Sequence, residues 1–431
     1  MTETVTHAKK GNRWVPVIAS IAIQLCLGTA YIWSVFQNGI AARLFDGKND
    51  LAALTFSLLL GVLTFGSTIG GMLQDKYSPK PVIIGGGIVL GAGFFLASLT
   101  TDASPWMLWI TYGILGGFGM GMIYSTTIAC CQKWFPDKRG FITGMIVAAL
   151  GFGGVVFTPI AEALIKQLGG GVPGVGELST FAWLAVIFVI VCVAGAFFVK
   201  NPPQGYKPEG WNPPAKKAGA PIHENFAPRE VLRTPQFYMI TGTLMLACMA
   251  GLMMIGFAKP IALAKGIEPG VAAIGVMIIS IFNSCGRLFW GWVSDKLGRK
   301  NTVLLLLLAT AVIILFVNLA TGYWIFVLIA LVGLFYGGFL GVFPALTADF
   351  FGTKSMGMNY GMVLLGFGIG AVGSSYVAGY FRNIAAAGND INLMMPAFII
   401  AAVAAAIGAA VIFFLKPPKH RRAQAVDAPS A

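Results

Sequence analysis

Long stretches without a single charged residue dictate what this chain can fold into. Residues 14 to 42, 51 to 74, 81 to 101, 103 to 132, 140 to 161, 178 to 199, 234 to 258, 269 to 286, 301 to 348, 355 to 381 and 391 to 415 are uncharged. A helix that crosses the hydrocarbon core of a bilayer needs about 20 predominantly apolar residues. Each run supplies one span, and 301 to 348 is long enough for two, with a break expected near Thr321 and Gly322. The eleven runs therefore predict twelve transmembrane helices.

Composition agrees: 57% of residues are hydrophobic and 10% charged, against about 25% charged in soluble domains. The first ten residues, MTETVTHAKK, are polar, and the run after Arg13 shows no small-residue cleavage site. A first span is expected there, not a cleaved leader. Cys26, Cys130, Cys131, Cys192, Cys248 and Cys285 all fall inside predicted spans, where a thiol behaves as a small hydrophobe. Neither a disulfide framework nor metal spacing follows, and no cofactor is expected.

The net charge of +13 suggests nucleic acid or an acidic surface until the cations are placed. Counting alternate connections from the N-terminus, one side holds 22 of the 29 Lys and Arg. The opposite side holds six, Arg43, Lys48, Lys166, Lys259, Lys265 and Arg382, and Arg287 belongs to neither. The positive-inside rule puts the richer side, with both termini, in the cytoplasm. The basic balance is thus topological: the expected partner is the bilayer of the cytoplasmic (inner or plasma) membrane, with no nucleic-acid partner, and a monomer is expected.

The longest connection, 201 to 234, carries Pro202, Pro203, Pro208, Pro213, Pro214, Pro221 and Pro228 and reads as a cytoplasmic linker. The expected domains are a six-helix half at 1–200, that linker, and a second six-helix half with a tail at 235–431. The halves resemble one another. GGMLQDKYSPK (70–80) aligns with WGWVSDKLGRK (290–300) at an offset of 220, and GMIVAALGFGG (144–154) with GMVLLGFGIGA (361–371) at an offset of 217. Such internal repeats mark secondary transporters, whose substrate site lies between the repeats near the midplane.

GWVSDKLGRK (291–300) resembles the loop signature of the major facilitator superfamily. In that signature a glycine is followed after three residues by Asp, a basic residue and Gly-Arg. The first-half copy, GMLQDKYSPK (71–80), departs from it with Ser78 and Pro79. The resemblance implies an all-α membrane protein of twelve helices in two pseudo-symmetric halves. It also implies a latch between helices at Asp75, Lys76, Asp295, Lys296 and Arg299 that breaks as the halves rock; an ordinary charged loop serving topology is the alternative. YIWSVF (31–36), WFPDKRG (134–140), LRTPQF (232–237) and NSCGR (283–287) together resemble the branch that holds oxalate:formate antiporters and monocarboxylate transporters.

Arg287 is the most informative residue. A charge at membrane depth costs about 2.5 kcal/mol or more and is functional by default. Arg287 lies eight residues before Asp295, roughly 12 Å deeper at helical rise. The sixteen acids all fall in tails, loops or helix ends, so none is expected beside it. A substrate carboxylate can neutralise it in a bidentate fork; the alternative is snorkelling to headgroups or bonding to helix-end carbonyls. Asn283, four residues earlier, shares its helix face and either donates to the substrate or bonds between helices.

In the oxalate exchangers of this branch a lysine on the eleventh span joins this arginine inside an aromatic cage. The resemblance places Phe367 at the lysine position and carries the cage over at Tyr31, Tyr124 and Tyr336, residues for which helix packing is the alternative. Ala30, Leu340 and Leu364 stand where a glutamine, a tyrosine and a tryptophan are found. One cation and an apolar wall imply a monocarboxylate of the lactate or pyruvate kind. In animal monocarboxylate transporters an Asp, thought to carry the proton, occupies the position of Asn283. His7, His223 and His420 lie in tails or the linker, and the fourth span lacks the arginine typical of many proton symporters. Protons thus stay open as a co-substrate, alongside exchange and facilitated diffusion.

Glycines at 366, 368, 370 and 373, and at 151, 153 and 154, permit the close, sliding packing that alternating access needs. An enzyme is not expected: no His lies in a span, and paired intramembrane carboxylates, metal spacing and a phosphate-binding Gly-Lys loop are missing. The rivals to a monocarboxylate transporter are an exchanger of oxalate- or formate-type acids, a non-transporting carboxylate sensor, and an exporter of larger apolar compounds that would not depend on Arg287.

Overall fold

The computed structural model describes residues 12–203, 205–209, 225–264, 266–317, 319–320, 322–388 and 391–418. Among them, twelve helices are long and apolar enough to span a membrane. They are α1 Trp14–Leu44, α2 Asp50–Lys76, α3 Pro79–Ser98, α4 Trp109–Trp134, α5 Arg139–Leu168 and α6 Val175–Ala196, then α7 Pro235–Ile255, α8 Gly270–Leu297, α9 Arg299–Val317, α10 Trp324–Phe351, α11 Met356–Phe381 and α12 Met395–Phe413. All regular structure among the described residues is helical. The long run 301 to 348 divides as expected, α9 ending at Val317 and α10 starting at Trp324; Thr321 lies outside the described residues.

α2 packs on α4, α3 on α6 and α1 on α5; in the second half α8 packs on α10, α11 on α7 and α9 on α12. Two broad seams join the first six helices to the last six, α5 against α8 and α2 against α11. The seams close because glycine lets backbones meet. A Cβ added at Gly144 of α5 or Gly341 of α10 would overlap the carbonyl oxygen of Arg287. α8 is therefore gripped from two sides at the one turn that carries its buried cation.

The chain enters and leaves on one face, called here the terminal face. There the repeat makes the same contact twice, each time between halves. Asp295, ending α8, accepts from the backbone N–H groups of Gly140 (3.1 Å) and Phe141 (2.8 Å) at the start of α5. Asp75, ending α2, accepts from Gly357 (3.4 Å) and Met358 (2.9 Å) at the start of α11. A helix start presents unpaired N–H groups and the positive end of its dipole, so each aspartate caps the helix facing it. Hydrogen bonds to a charged group contribute about 1.5–3 kcal/mol each.

The ion pairs around these caps are unequal. Arg299 pairs with Asp295 and, at 3.3 Å, with Asp349, which Arg139 reaches across the seam at 3.0 Å. On the other seam, among the described residues, Asp75 has Lys133 at 3.8 Å. Lys76 and Lys296 do not cross a seam: each ammonium sits over an aromatic ring of its own segment, Tyr77 and Trp292.

Of the expected linker, residues 204 and 210–224 lie outside the described residues. Its ends are tied down. The Trp134 indole donates to the Lys200 carbonyl (2.7 Å), and the Asn225 side-chain oxygen accepts from the N–H groups of Thr353 (3.1 Å) and Lys354 (3.0 Å).

One feature differs from expectation. The first span is not one continuous α-helix: Gly28–Ile32 tightens to a 3₁₀ turn, with the Thr29 hydroxyl bonded to the Cys26 carbonyl (2.8 Å). Glu177, one of the acids expected in tails, loops or helix ends, lies in the first turn of α6, 8% exposed. Its carboxylate accepts from the N–H of Gly174 (2.9 Å), so it caps that helix.

Asp75→Ala and Asp295→Ala together remove four cross-seam bonds, so the terminal face should open. A cysteine placed at Leu340, in a background without the native cysteines, should react at least about tenfold faster with an impermeant maleimide from that face. An unchanged rate would mean the caps do not hold the seams.

Candidate functional site

Between the halves lies a cavity of about 350 Å³, lined among others by Tyr31, Phe56, Leu60, Asn283, Arg287, Tyr336 and Phe367. It runs along α8 from Arg287 back to Ile279 and along α11 from Phe367 to Ala378, away from the terminal face. Tyr31, midway along α1, keeps 37% exposure because this space reaches it. Toward the terminal face a second pocket of about 20 Å³ continues beyond Tyr31, Arg287 and Phe367, walled by Leu63, Met120, Tyr124, Leu150, Leu340 and Leu364. All eight substrate-site candidates thus line one or both of two neighbouring spaces that share Tyr31, Leu60, Arg287 and Phe367.

Arg287 is 1% exposed, and its partners are all neutral. Nε and Nη2 donate to the Asn283 side-chain oxygen (3.2 and 2.9 Å), Nη1 to the Val147 carbonyl (2.9 Å) and Nη2 to the Tyr31 hydroxyl (3.4 Å). Among the described residues no carboxylate pairs with it. A guanidinium has five N–H donors and no acceptor. Two of the five go to Asn283, one to Val147 and one, over a long distance, to Tyr31. The side edge of the fork is occupied; one Nη1 proton and the stretched Tyr31 bond are left.

Asn283 borders the cavity but turns its side-chain oxygen to Arg287. A guanidinium only donates, so the amide oxygen must point at it, and the amide nitrogen donates to the Gly333 carbonyl of α10 (3.3 Å). Of the two expectations for Asn283, donation to a substrate and bonding between helices, the bond to α10 is the second, while its oxygen fixes the arginine. The bond to Val147 is equally unexpected, because a backbone acceptor leaves no mark in a sequence. It joins α8 to α5 across a seam at the depth of the site.

The Tyr124 hydroxyl lies 3.4 Å from that of Tyr360, joining α4 to α11. Tyr360, seven residues before Phe367, escaped the sequence reading. Arg139 escaped it too, although it lies in the WFPDKRG stretch. Ser280 and Ser284 border the cavity beside Asn283, and their spacing of three and seven residues before Arg287 was a readable signal.

Fold and site define an integral membrane protein whose central cavity, between two sets of six helices, ends on a buried cation. The sequence profile of the Major Facilitator Superfamily matches residues 18–258 and 243–430. The chain is 34% identical to an uncharacterized MFS-type transporter, YhjX, of Escherichia coli strain K12, over 84% of this chain and 86% of that one. It is 31% identical to the oxalate:formate antiporter of Oxalobacter formigenes, over 81% and 80%. The solved outward conformation of the MFS transporter FucP superimposes with a TM-score of 0.71 at 15% identity, covering 95% of this chain and 100% of that one. The chain belongs to the major facilitator superfamily.

Asn283→Asp places a carboxylate against Arg287. The new carboxylate neutralises the cation and competes with any anionic ligand. Anion binding by the variant should therefore fall at least about tenfold relative to the parent, whereas the isosteric Asn283→Leu, which adds no charge, should weaken it less. Ligand titrations of the purified proteins check this.

Proposed function

We propose that the protein carries small monocarboxylates of the lactate or pyruvate kind across the cytoplasmic membrane by alternating access, with Arg287 binding the carboxylate. The observation that carries this reading is a buried guanidinium with neutral partners only. Substrate supplies the missing negative charge, through the free Nη1 proton and the Nη2 proton now on Tyr31. One cation suits one carboxylate. Phe367, Leu340 and Leu364 then face the alkyl group, and Tyr31, Tyr124 and Tyr336 complete the cage.

The six-helix halves at 1–200 and 235–431, joined by the linker at 201–234, rock about this site. With both termini in the cytoplasm, as the distribution of cations favours, the cavity faces outward and the Asp75, Asp295 and Arg299 latch holds the inner side shut. Lys76 and Lys296 are spare charges near the latch. The oxalate:formate antiporter supports an organic anion as cargo.

Exchange is the mode the site favours. Closing the cavity on an empty site dehydrates an unpaired cation, at a cost of several kcal/mol; a bound carboxylate offsets it. The loaded carrier then reorients faster than the empty one. No titratable side chain among the described residues bonds to Arg287 except Tyr31.

Protein reconstituted in liposomes should take up labelled lactate or pyruvate, faster when the vesicles are preloaded with the same acid. Arg287→Ala should lower uptake at least about a hundredfold, and Arg287→Lys, which lacks the fork, nearly as far; uptake that survives Arg287→Ala excludes the anion site. Phe367→Lys restores a second cation and should move preference from lactate toward oxalate in competition assays.

A further inference from the structure

Why the site should favour a three-carbon acid is written in the smaller pocket. We propose that the space of about 20 Å³ beyond Arg287 receives the terminal methyl group of the substrate. Its apolar wall, Leu63, Met120, Leu150, Leu340 and Leu364, then sets the accepted chain length. The proposal rests on the reading that a monocarboxylate sits on Arg287.

Three observations carry it. First, the pocket shares Tyr31, Leu60, Arg287 and Phe367 with the larger cavity, so an acid held on Arg287 lies against both spaces. Second, the size is selective. A void needs about 10–15 Å³ to hold a water, so this one takes a single methyl-sized group and excludes a propyl chain. Third, the lining is mostly apolar. Leu63, Met120, Leu150, Leu340 and Leu364 are 2–5% exposed, and the polar groups are the Arg287 guanidinium, the Tyr31 hydroxyl beside it and the Tyr124 hydroxyl, which lies against Tyr360. A carboxylate on Arg287 occupies the guanidinium and Tyr31, which leaves the aliphatic wall for a methyl group.

The wall comes from both halves. Leu63, Met120 and Leu150 stand on α2, α4 and α5, and Leu340 and Leu364 on α10 and α11. A methyl group seated there touches both sides of the closed seam, so chain length is read where the halves meet. Leu63, Met120 and Leu150 are specificity residues that neither their types nor their spacing announced.

The test compares acids that differ by one carbon. In liposomes of the wild-type protein, kcat/KM for uptake should be higher for pyruvate than for glyoxylate, which lacks the methyl, and higher than for 2-oxobutanoate. One methylene in an apolar pocket discriminates about 10–200-fold, so at least a tenfold preference is expected on the long side. Leu150→Ala and Leu364→Ala, which enlarge the pocket from opposite halves, should each raise the 2-oxobutanoate to pyruvate ratio at least about tenfold. Leu150→Phe fills it and should invert the pyruvate to glyoxylate preference. Ratios within one variant cancel differences in expression and insertion. Wild-type protein that moves pyruvate but shows flat ratios, unchanged in the variants, overturns the methyl pocket and leaves the function standing. Wild-type protein that moves none of these acids overturns the function and this inference with it.

Discussion

A guanidinium buried at the depth of the membrane with only neutral partners is the constraint on which the rest of this molecule turns. Three separate helices contribute acceptors to it, Tyr31 from α1, Val147 from α5 and Asn283 from α8 itself. Burying a charge is tolerable only when its hydrogen bonds are satisfied, and neutral oxygens satisfy direction without cancelling charge. The glycines of α5 and α10 that meet the Arg287 carbonyl serve the same end. They bring the Val147 backbone within reach and leave no room for a bulkier, competing side chain.

That single charge gives the cavity its polarity. On one side of it the space is wide, bordered by Asn283, Ser280 and Ser284 on α8 and by Tyr31; on the other lies a small space walled largely by aliphatic side chains. An anion entering from the wide side meets hydroxyls first, the cation next, and hydrocarbon last. The order matches a molecule with one charged end and one short apolar end.

Much of this was legible in the sequence, and the parts that were not share a physical cause. Spans were readable because hydrocarbon admits few charges, so Asp50, Lys76 and their counterparts mark the boundaries. Arg287 was readable for the same reason, and the repeat pointed to the ends of α2 and α8. Lateral arrangement was not. In lipid a helix is apolar all round and loses the face-specific pattern that betrays packing in water. The role of Asn283 needed direction, which spacing does not supply, and the Gly28–Ile32 turn hides in residues that read as ordinary helix. Arg139 was in plain view but its partner, Asp349, lies 210 positions away.

The crossed caps have a consequence for origin. Asp75 reaches Gly357 and Met358, while Asp295 reaches Gly140 and Phe141. Superimposing the repeats exchanges donor pair for donor pair and aspartate for aspartate. This is the pattern of an isologous two-fold contact, in which one patch is complementary to itself. A six-helix ancestor pairing with its own copy would form both bonds from a single stretch of sequence, and every change there would be felt twice. Within one chain that tie is absent: Arg299 stands at one seam and Pro79 at the equivalent position of the other, so the two doors of one design carry different locks.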